Sequence, residues 1–228
     1  MSETKVLLDL VQRELDGFCA AQKAEFTGIS EDLSVLLDYT KELLAGGKRF
    51  RALFCYWAWV AALDVSSTQQ DSATRARSTE AMVGICSALE MFHGAALVHD
   101  DLLDQSDTRR GVPAVHKRFE SMHKQHGWAG SPERFGQAGS VLVGDLMLAW
   151  SSEIFGNALL KSPNSQIESA CRAEFSKMRI EVMAGQYLDV LEENAAPTRA
   201  VEEAVGRANR VILYKTAKYS IEAPLLIG

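Results

Sequence analysis

The sequence predicts an all-α chain. Only five prolines are spread over 228 residues, stretches of strict apolar–polar alternation are scarce, and apolar residues recur instead at helical spacing. The apolar fraction of 47% and the charged fraction of 24% are those of a soluble globular protein, and the length suits one large domain or two small ones. A net charge of −6 argues against a general nucleic-acid binder. Cysteines 19, 55, 86 and 171 have no metal-ligand spacing and no evident disulfide frame, which fits a reducing, cytoplasmic setting. Met1-Ser2-Glu3-Thr4 does not read as a signal peptide. No uncharged apolar run approaches the roughly 18 residues that a membrane span requires.

Residues 3 to about 25 form the first expected helix, with Ser2 as N-cap and Val6, Leu7, Leu10, Val11 and Leu15 at helical spacing. Gly28 should interrupt it, and Ser30 should open a second helix ending at Leu44. Gly46-Gly47-Lys48-Arg49-Phe50-Arg51 follows. The glycines terminate the second helix, and a third should run from about Lys48 to Leu63. Basic residues oppose the dipole at a helix N-terminus. They make sense there if an anion is held by free backbone amides together with Lys48 and Arg51, three apart on one face. Solvated charges at a plain helix–turn–helix are the simpler alternative. The apolar run Phe54–Val60 implies a helix that is buried or packed on a partner.

Residues 64–78 read as a loop, then a long helix from about Thr79 to Asp104. Between Met82 and Val98 its one charged residue is Glu90, with His93 nearby. At about 100° per residue, Glu90, His93, Leu97, Asp100, Asp101 and Asp104 share one face. A polar stripe through an apolar interior needs partners. The stripe ends in His99-Asp100-Asp101-Leu102-Leu103-Asp104, followed closely by Arg109-Arg110-Gly111. Asp100 and Asp104 stack one turn apart, with Asp101 beside them. Three carboxylates there are costly unless a cation takes them up, and oxygen ligands in that pattern suit Mg²⁺ shared with a substrate phosphate. The adjacent guanidinium forks suit the same phosphate. A solvated acidic helix end is the plain alternative.

Residues 120–131 are expected as a surface loop with His123 and His126 solvated. A helix from about Pro132 to Leu160 carries Gly136, Ala138, Gly139, Ser140 and Gly144, small enough for close helix packing, and Asp145, read either as a buried polar partner or as a residue supporting the site from behind its ligands. Pro163 and Asn164 mark a boundary before a helix from about Ser165 to Glu193, in which Gln186 and Asp189 read best as a surface pair. Thr198 should cap a further helix, and Lys215-Thr216 offers an ammonium and a hydroxyl suited to phosphate oxygens.

Taken in order, these motifs (Gly-Gly-Lys-x-x-Arg, Glu-x-x-His, His-Asp-Asp-x-x-Asp, Arg-Arg-Gly, Gly-Asp, Gly-Gln-x-x-Asp and Lys-Thr) closely resemble the trans-isoprenyl diphosphate synthase, or polyprenyl synthetase, family over residues 46–219. The resemblance implies one all-α domain, a bundle of mostly antiparallel helices around a central cavity, usually homodimeric. It implies Mg²⁺-dependent transfer of an allylic prenyl group onto isopentenyl diphosphate. Asp100, Asp101 and Asp104 then match the first aspartate-rich, metal-holding motif. Gly47, Lys48, Arg51, His93 and Arg110 match the isopentenyl diphosphate site, and Arg109, Lys215, Thr216 and Gln186 the allylic diphosphate site. Small residues at Ala95 and Ala96 would leave the product cavity open, with Met91 or Phe92 as its floor, implying a geranylgeranyl or longer product. The family's second aspartate-rich motif is missing: Asp189 is the last aspartate. The chain is therefore expected to be C-terminally incomplete and weak or inactive alone, with Ala223–Ile227 exposed. A non-catalytic subunit of a heteromeric synthase and a class I terpene cyclase are the alternatives. The cyclase leaves Gly-Gly-Lys-x-x-Arg and Arg-Arg-Gly unexplained.

Overall fold

The computed structural model describes residues 2–66, 71–161 and 164–228. Helices account for nearly all of the described chain: α1 (Glu3–Ile29), α2 (Ser34–Leu44), α3 (Phe50–Ser66), α4 (Ser72–Leu103), α5 (Val115–His126), α6 (Pro132–Leu159), α7 (Ser165–Ala195), α8 (Ala204–Val211) and α9 (Ala223–Ile227). A π-helical stretch, Ile212–Glu222, joins the last two. The one sheet among the described residues is a hairpin of β1 (Thr108–Arg109) and β2 (Val112–Pro113).

The chain divides into two compact units. The first comprises residues 1–48 and 87–156, the second residues 49–86 and 157–228, so α4 and α6 contribute to both. At 1.5 Å per residue α4 is about 48 Å long, more than one small core can cover.

In the first unit, Ser2 caps α1 by accepting from the Lys5 amide, as expected. Gly28 does not interrupt this helix. The turn comes at Ser30, whose side chain caps the 3-10 turn Glu31–Leu33 ahead of α2. Leu7, Val11 and Leu15 are buried on one face of α1, and Gln22 accepts a hydrogen bond from the buried Trp150 indole on α6. The small residues of α6 allow the close approach expected of them. A methyl group at Gly136 would lie 2.4 Å from the His116 carbonyl, and one at Gly144 2.1 Å from His99 Nε2. Asp145 is not a buried partner: its carboxylate is exposed and lies 3.5 Å from His99 Nε2.

Residues 120–126, expected as part of a loop, continue α5, in which Phe119 packs against Gly139 and Tyr39. His123 is buried, not solvated. Its Nε2 meets the Ala129 carbonyl at 3.2 Å, and its ring packs on Trp128 and Phe135. His126 is exposed and stacks on Trp128.

In the second unit, α3 packs against α9, and α7 against the π-helical stretch. Residues 72–78 are already helical, so the expected loop is shorter; its residues 67–70 lie outside the described residues, as does Pro163. Asn164 caps α7 through the Gln166 and Ile167 amides. Thr198 caps no helix: it sits inside a 3-10 turn and donates to the Ala195 carbonyl. The apolar tail is largely covered, with Ala223, Pro224 and Ile227 buried and Leu225 and Leu226 exposed. Apolar side chains at i, i+1 and i+4 find the groove between α3 and α7.

By length and composition α4 could cross a membrane, yet 83% of its most apolar window is buried inside the protein, as for a core helix. All four cysteines are free and buried, and desolvation pushes the Cys19 thiol up to about 11.

Close packing at the α4–α6 crossing sets the first prediction. Gly144→Ala should lower stability by about 1–3 kcal/mol through overpacking against His99. Gly17→Ala, in the exposed middle of α1 with open space around it, should raise stability by about 0.5–1 kcal/mol. Urea denaturation of the two variants checks both signs.

Candidate functional site

Asp100 and Asp101 occupy the last turn of α4, and Asp104 follows its final residue, with its amide still donating to the Asp100 carbonyl at 2.8 Å. A helix C-terminus is unfavourable for negative charge, and the chain answers with a hairpin. Register pairs Arg109 with Val112 across a two-residue turn, Arg110-Gly111. Both turn residues have positive φ, 53° and 81°, the geometry of a type I′ turn. Arginine is rarely found there, so the sequence accepts strain at Arg110 to close the hairpin at this point.

Closure brings Arg109 onto the aspartates. Its Nε donates to Asp101 Oδ1 at 2.8 Å, its Nη2 donates to the same oxygen, and Nη2 reaches Asp100 Oδ2 at 3.4 Å. Asp101 is 2% exposed. The hydrogen bonds to Asp101, opposed by desolvation, hold the Arg109 guanidinium above its ordinary range. Arg110 points to the Gly46–Gly47 turn that ends α2. A methyl group at Gly47 would sit 3.1 Å from Arg110 Nη2, and Gly47 has φ 93°. Gly47 and Arg110, 63 positions apart, are therefore neighbours. A cavity of about 380 Å³ opens between the end of α2, the hairpin and the start of α5, lined in part by Tyr39, Leu43, Asp101, Arg109, Arg110 and Arg118.

Three expectations change in this unit. Lys48 and Arg51 do not share a helical face, because α3 starts only at Phe50. Lys48 stands exposed ahead of the helix, and Arg51 belongs to the other unit. The reason is local: Gly46, Gly47 and Arg49 all take positive φ, which excludes helix before Phe50. The three aspartates do not converge on a point either. Asp101 is buried against Arg109 while Asp104 is exposed beyond the helix end, and no group of three or more His, Cys, Asp or Glu poised for a metal exists among the described residues. Finally, Ala95, Met91 and Phe92 have essentially no accessible surface and are core packing; Ala96 alone of the four is half-buried. Glu90 is buried and His93 half-buried one or more turns before the aspartates.

The second unit holds the other candidates. Gly185 on α7 admits the backbone of the π-helical stretch: a methyl group there would lie 2.4 Å from the Lys215 nitrogen. This approach puts Lys215 Nζ 2.5 Å from Asp189 Oδ2, so Asp189 is an ion-pair partner rather than half of a surface pair with Gln186. Gln186 keeps a buried Nε2 with no hydrogen-bond partner among the described residues. Thr216 is exposed. Lys218 binds both oxygens of Glu181, at 3.0 and 3.2 Å. Arg51 reaches the same stretch from α3, donating to Ser220 Oγ at 2.6 Å with its guanidinium 4.1 Å above the Tyr219 ring. Ser220 and Tyr219 were not singled out by sequence reasoning, and Asp189 was read as a surface residue, since the role of each is defined by a partner on another helix. Glycine at position 185, inside a long helix, was the available signal of a close approach.

Comparison with known proteins agrees with these features. The polyprenyl synthetase family model matches residues 33–228. Geranylgeranyl pyrophosphate synthase 11 of Arabidopsis thaliana is 31% identical over 204 residues, covering 88% of this chain and 48% of that protein. A second Arabidopsis protein, named as putative geranylgeranyl pyrophosphate synthase 8, is 31% identical over 95% of this chain and 52% of its own length. The chain thus spans about half the length of these relatives. Among solved structures, geranylgeranyl pyrophosphate synthase from Corynebacterium glutamicum, complexed with isoprenyl diphosphate and magnesium, superposes with a TM-score of 0.86 at 30% identity, over 100% of this chain and 60% of that one. Farnesyl diphosphate synthase of T. brucei, at 18% identity and a TM-score of 0.72, shares the fold. The chain belongs to the polyprenyl synthetase family.

Proposed function

We propose that the chain serves prenyl-chain elongation, in which an allylic diphosphate and isopentenyl diphosphate yield a longer trans-prenyl diphosphate and free diphosphate. The observation that carries this reading is the cluster at the end of α4. Arg109 grips Asp101 there, and Arg110 beside it lies on the Gly46–Gly47 turn. Carboxylates able to hold Mg²⁺ against one diphosphate, and a guanidinium with a glycine turn for another, are what two diphosphates require. In the reaction the allylic C–O bond breaks with its electron pair leaving on diphosphate. The alkene of isopentenyl diphosphate then attacks the allylic carbon, and a proton is lost, with diphosphate as its acceptor. Cationic side chains aimed at the leaving group stabilise the charge that develops there.

Mg²⁺ is the implied cofactor, and the donor set fits it. Mg²⁺ takes one or two carboxylates and completes its shell with water and phosphate, so Asp100 and Asp104, one turn apart, suffice while Asp101 stays with Arg109. When bound, the ion would neutralise the diphosphate. In the first unit, Lys48, His93 and Arg110 are assigned to isopentenyl diphosphate and Arg109 to the allylic diphosphate. In the second, Arg51 is assigned to isopentenyl diphosphate, and Lys215, Thr216 and Gln186 to the allylic diphosphate. Asp189 holds the Lys215 ammonium in place until phosphate replaces it. A homodimer and a cytoplasmic location complete the reading; exposed Val141 and Leu142 on α6 offer apolar surface for the first, and four free cysteines suit the second.

The test is diphosphate release by the 228-residue chain. Release should require an allylic diphosphate, isopentenyl diphosphate and Mg²⁺ together. Release from the allylic substrate alone would indicate a cyclase. Binding of both diphosphates without release would indicate a binding subunit of a larger synthase.

A geranylgeranyl or longer product is the second part of the proposal, in keeping with the relatives' names. Burial corrects the choice of residue. Ala95→Phe should destabilise the chain by about 1–3 kcal/mol by overpacking. Ala96→Phe, at the half-buried position, should shorten the product with little loss of stability. Chromatography of the prenyl products, with melting curves alongside, separates the two effects; an unchanged product from Ala96→Phe would remove this residue from the chain-length reading.

A further inference from the structure

Arg51 is held in place from a different element. Its Nη2 donates to Ser220 Oγ at 2.6 Å, and its guanidinium lies 4.1 Å over the buried Tyr219 ring. Its Nε is buried without a hydrogen-bond partner among the described residues. A guanidinium has five N–H donors in one plane. One hydrogen bond in that plane and one aromatic face against it remove both the rotation about the terminal bond and the tilt, while most donors remain unspent. A long flexible side chain held so before binding loses less entropy when it grips an anion.

Tyr219 and Ser220 are consecutive residues of the π-helical stretch, which also carries Lys215 and Lys218. Its hydrogen bonds run from i to i+5, a register that is rare and concentrated at functional sites. Two ion pairs to α7 fix it, Lys215 with Asp189 and Lys218 with Glu181. The stretch is thus anchored on one side to α7 and presents Ser220 to α3 on the other.

We infer that Ser220, backed by Tyr219, is a positioning residue that fixes the plane of the Arg51 guanidinium for the diphosphate of isopentenyl diphosphate. This inference rests on the proposed role of Arg51. The Ser220 hydroxyl touches no substrate; it acts through Arg51 alone.

Ser220→Thr and Ser220→Val test it, since they match in shape and differ in the hydroxyl. The 228-residue chain is titrated calorimetrically with isopentenyl diphosphate and, separately, with geranyl diphosphate and Mg²⁺. Ser220→Val should weaken isopentenyl diphosphate binding about 5–10-fold, Ser220→Thr should stay within twofold of the parent, and geranyl diphosphate affinity should change in neither. Arg51→Lys is the control for the underlying reading and should weaken isopentenyl diphosphate binding at least as much as Ser220→Val. If Arg51→Lys weakens binding but Ser220→Val and Ser220→Thr bind alike, the positioning role is wrong and the reading of Arg51 stands. If Arg51→Lys binds isopentenyl diphosphate as the parent does, or the parent chain shows no specific binding of it, both fall. Equal losses for the two diphosphates in Ser220→Val would show a general structural role and also overturn the inference.

Discussion

A carboxylate with 2% exposure at the end of an apolar helix has to be met by a cation, and Asp101 is met by Arg109. An isolated buried charge would cost several kcal/mol, and the C-terminal end of the helix dipole adds to that cost. Much of the first unit follows from this one requirement. The chain leaves α4 and turns back within a few residues. It accepts a left-handed conformation at Arg110, which places Arg109 on the aspartates and Arg110 on the Gly46–Gly47 turn. Opposite charges and a glycine surface at one end of a helix bundle are then available for phosphate groups, without a dedicated domain to bind them.

The second unit solves a similar problem differently. Its cations are brought to one π-helical stretch and held there by carboxylates on α7, while Arg51 joins from α3. Gly185 makes this possible, because any side chain there would collide with the Lys215 backbone. Lys215 and Lys218 are each paired with a carboxylate, and Arg51 is held by the Ser220 hydroxyl and the Tyr219 ring. Such sites keep their charges ordered before a ligand arrives.

Helix content and the motif positions were legible in the sequence because both are local. Ser2, Asn164 and the small residues of α6 behaved as their chemistry dictates. The misreadings share a cause: a long-range partner overrode a local signal. Gly28 stays helical because Ser30, two residues on, supplies the better turn. The polar segment 120–126 continues a helix because Phe119 and His123 find aromatic partners on other elements. Lys48 and Arg51 have helical spacing, but three positive-φ residues between Gly46 and Arg49 delay the helix. Ser220 and Tyr219 were invisible as site residues because nothing in their own neighbourhood distinguishes them, and Asp189 read as a surface residue because its partner Lys215 lies 26 positions away. Ala95 and Ala96 look equivalent in sequence, yet a rotation of about 100° puts one in the core and leaves the other half-buried.

The Asp101–Arg109 pair organises the end of α4 and the hairpin. A double-mutant cycle on stability measures this most directly, with Asp101→Asn, Arg109→Met and the double variant unfolded in urea. Each single change should cost about 3 kcal/mol, since it leaves a buried polar group or charge without its partner. The double variant should cost clearly less than their sum, with a coupling of about 1–3 kcal/mol. Additive costs would show that the two side chains do not depend on one another, and that something other than this ion pair closes the hairpin.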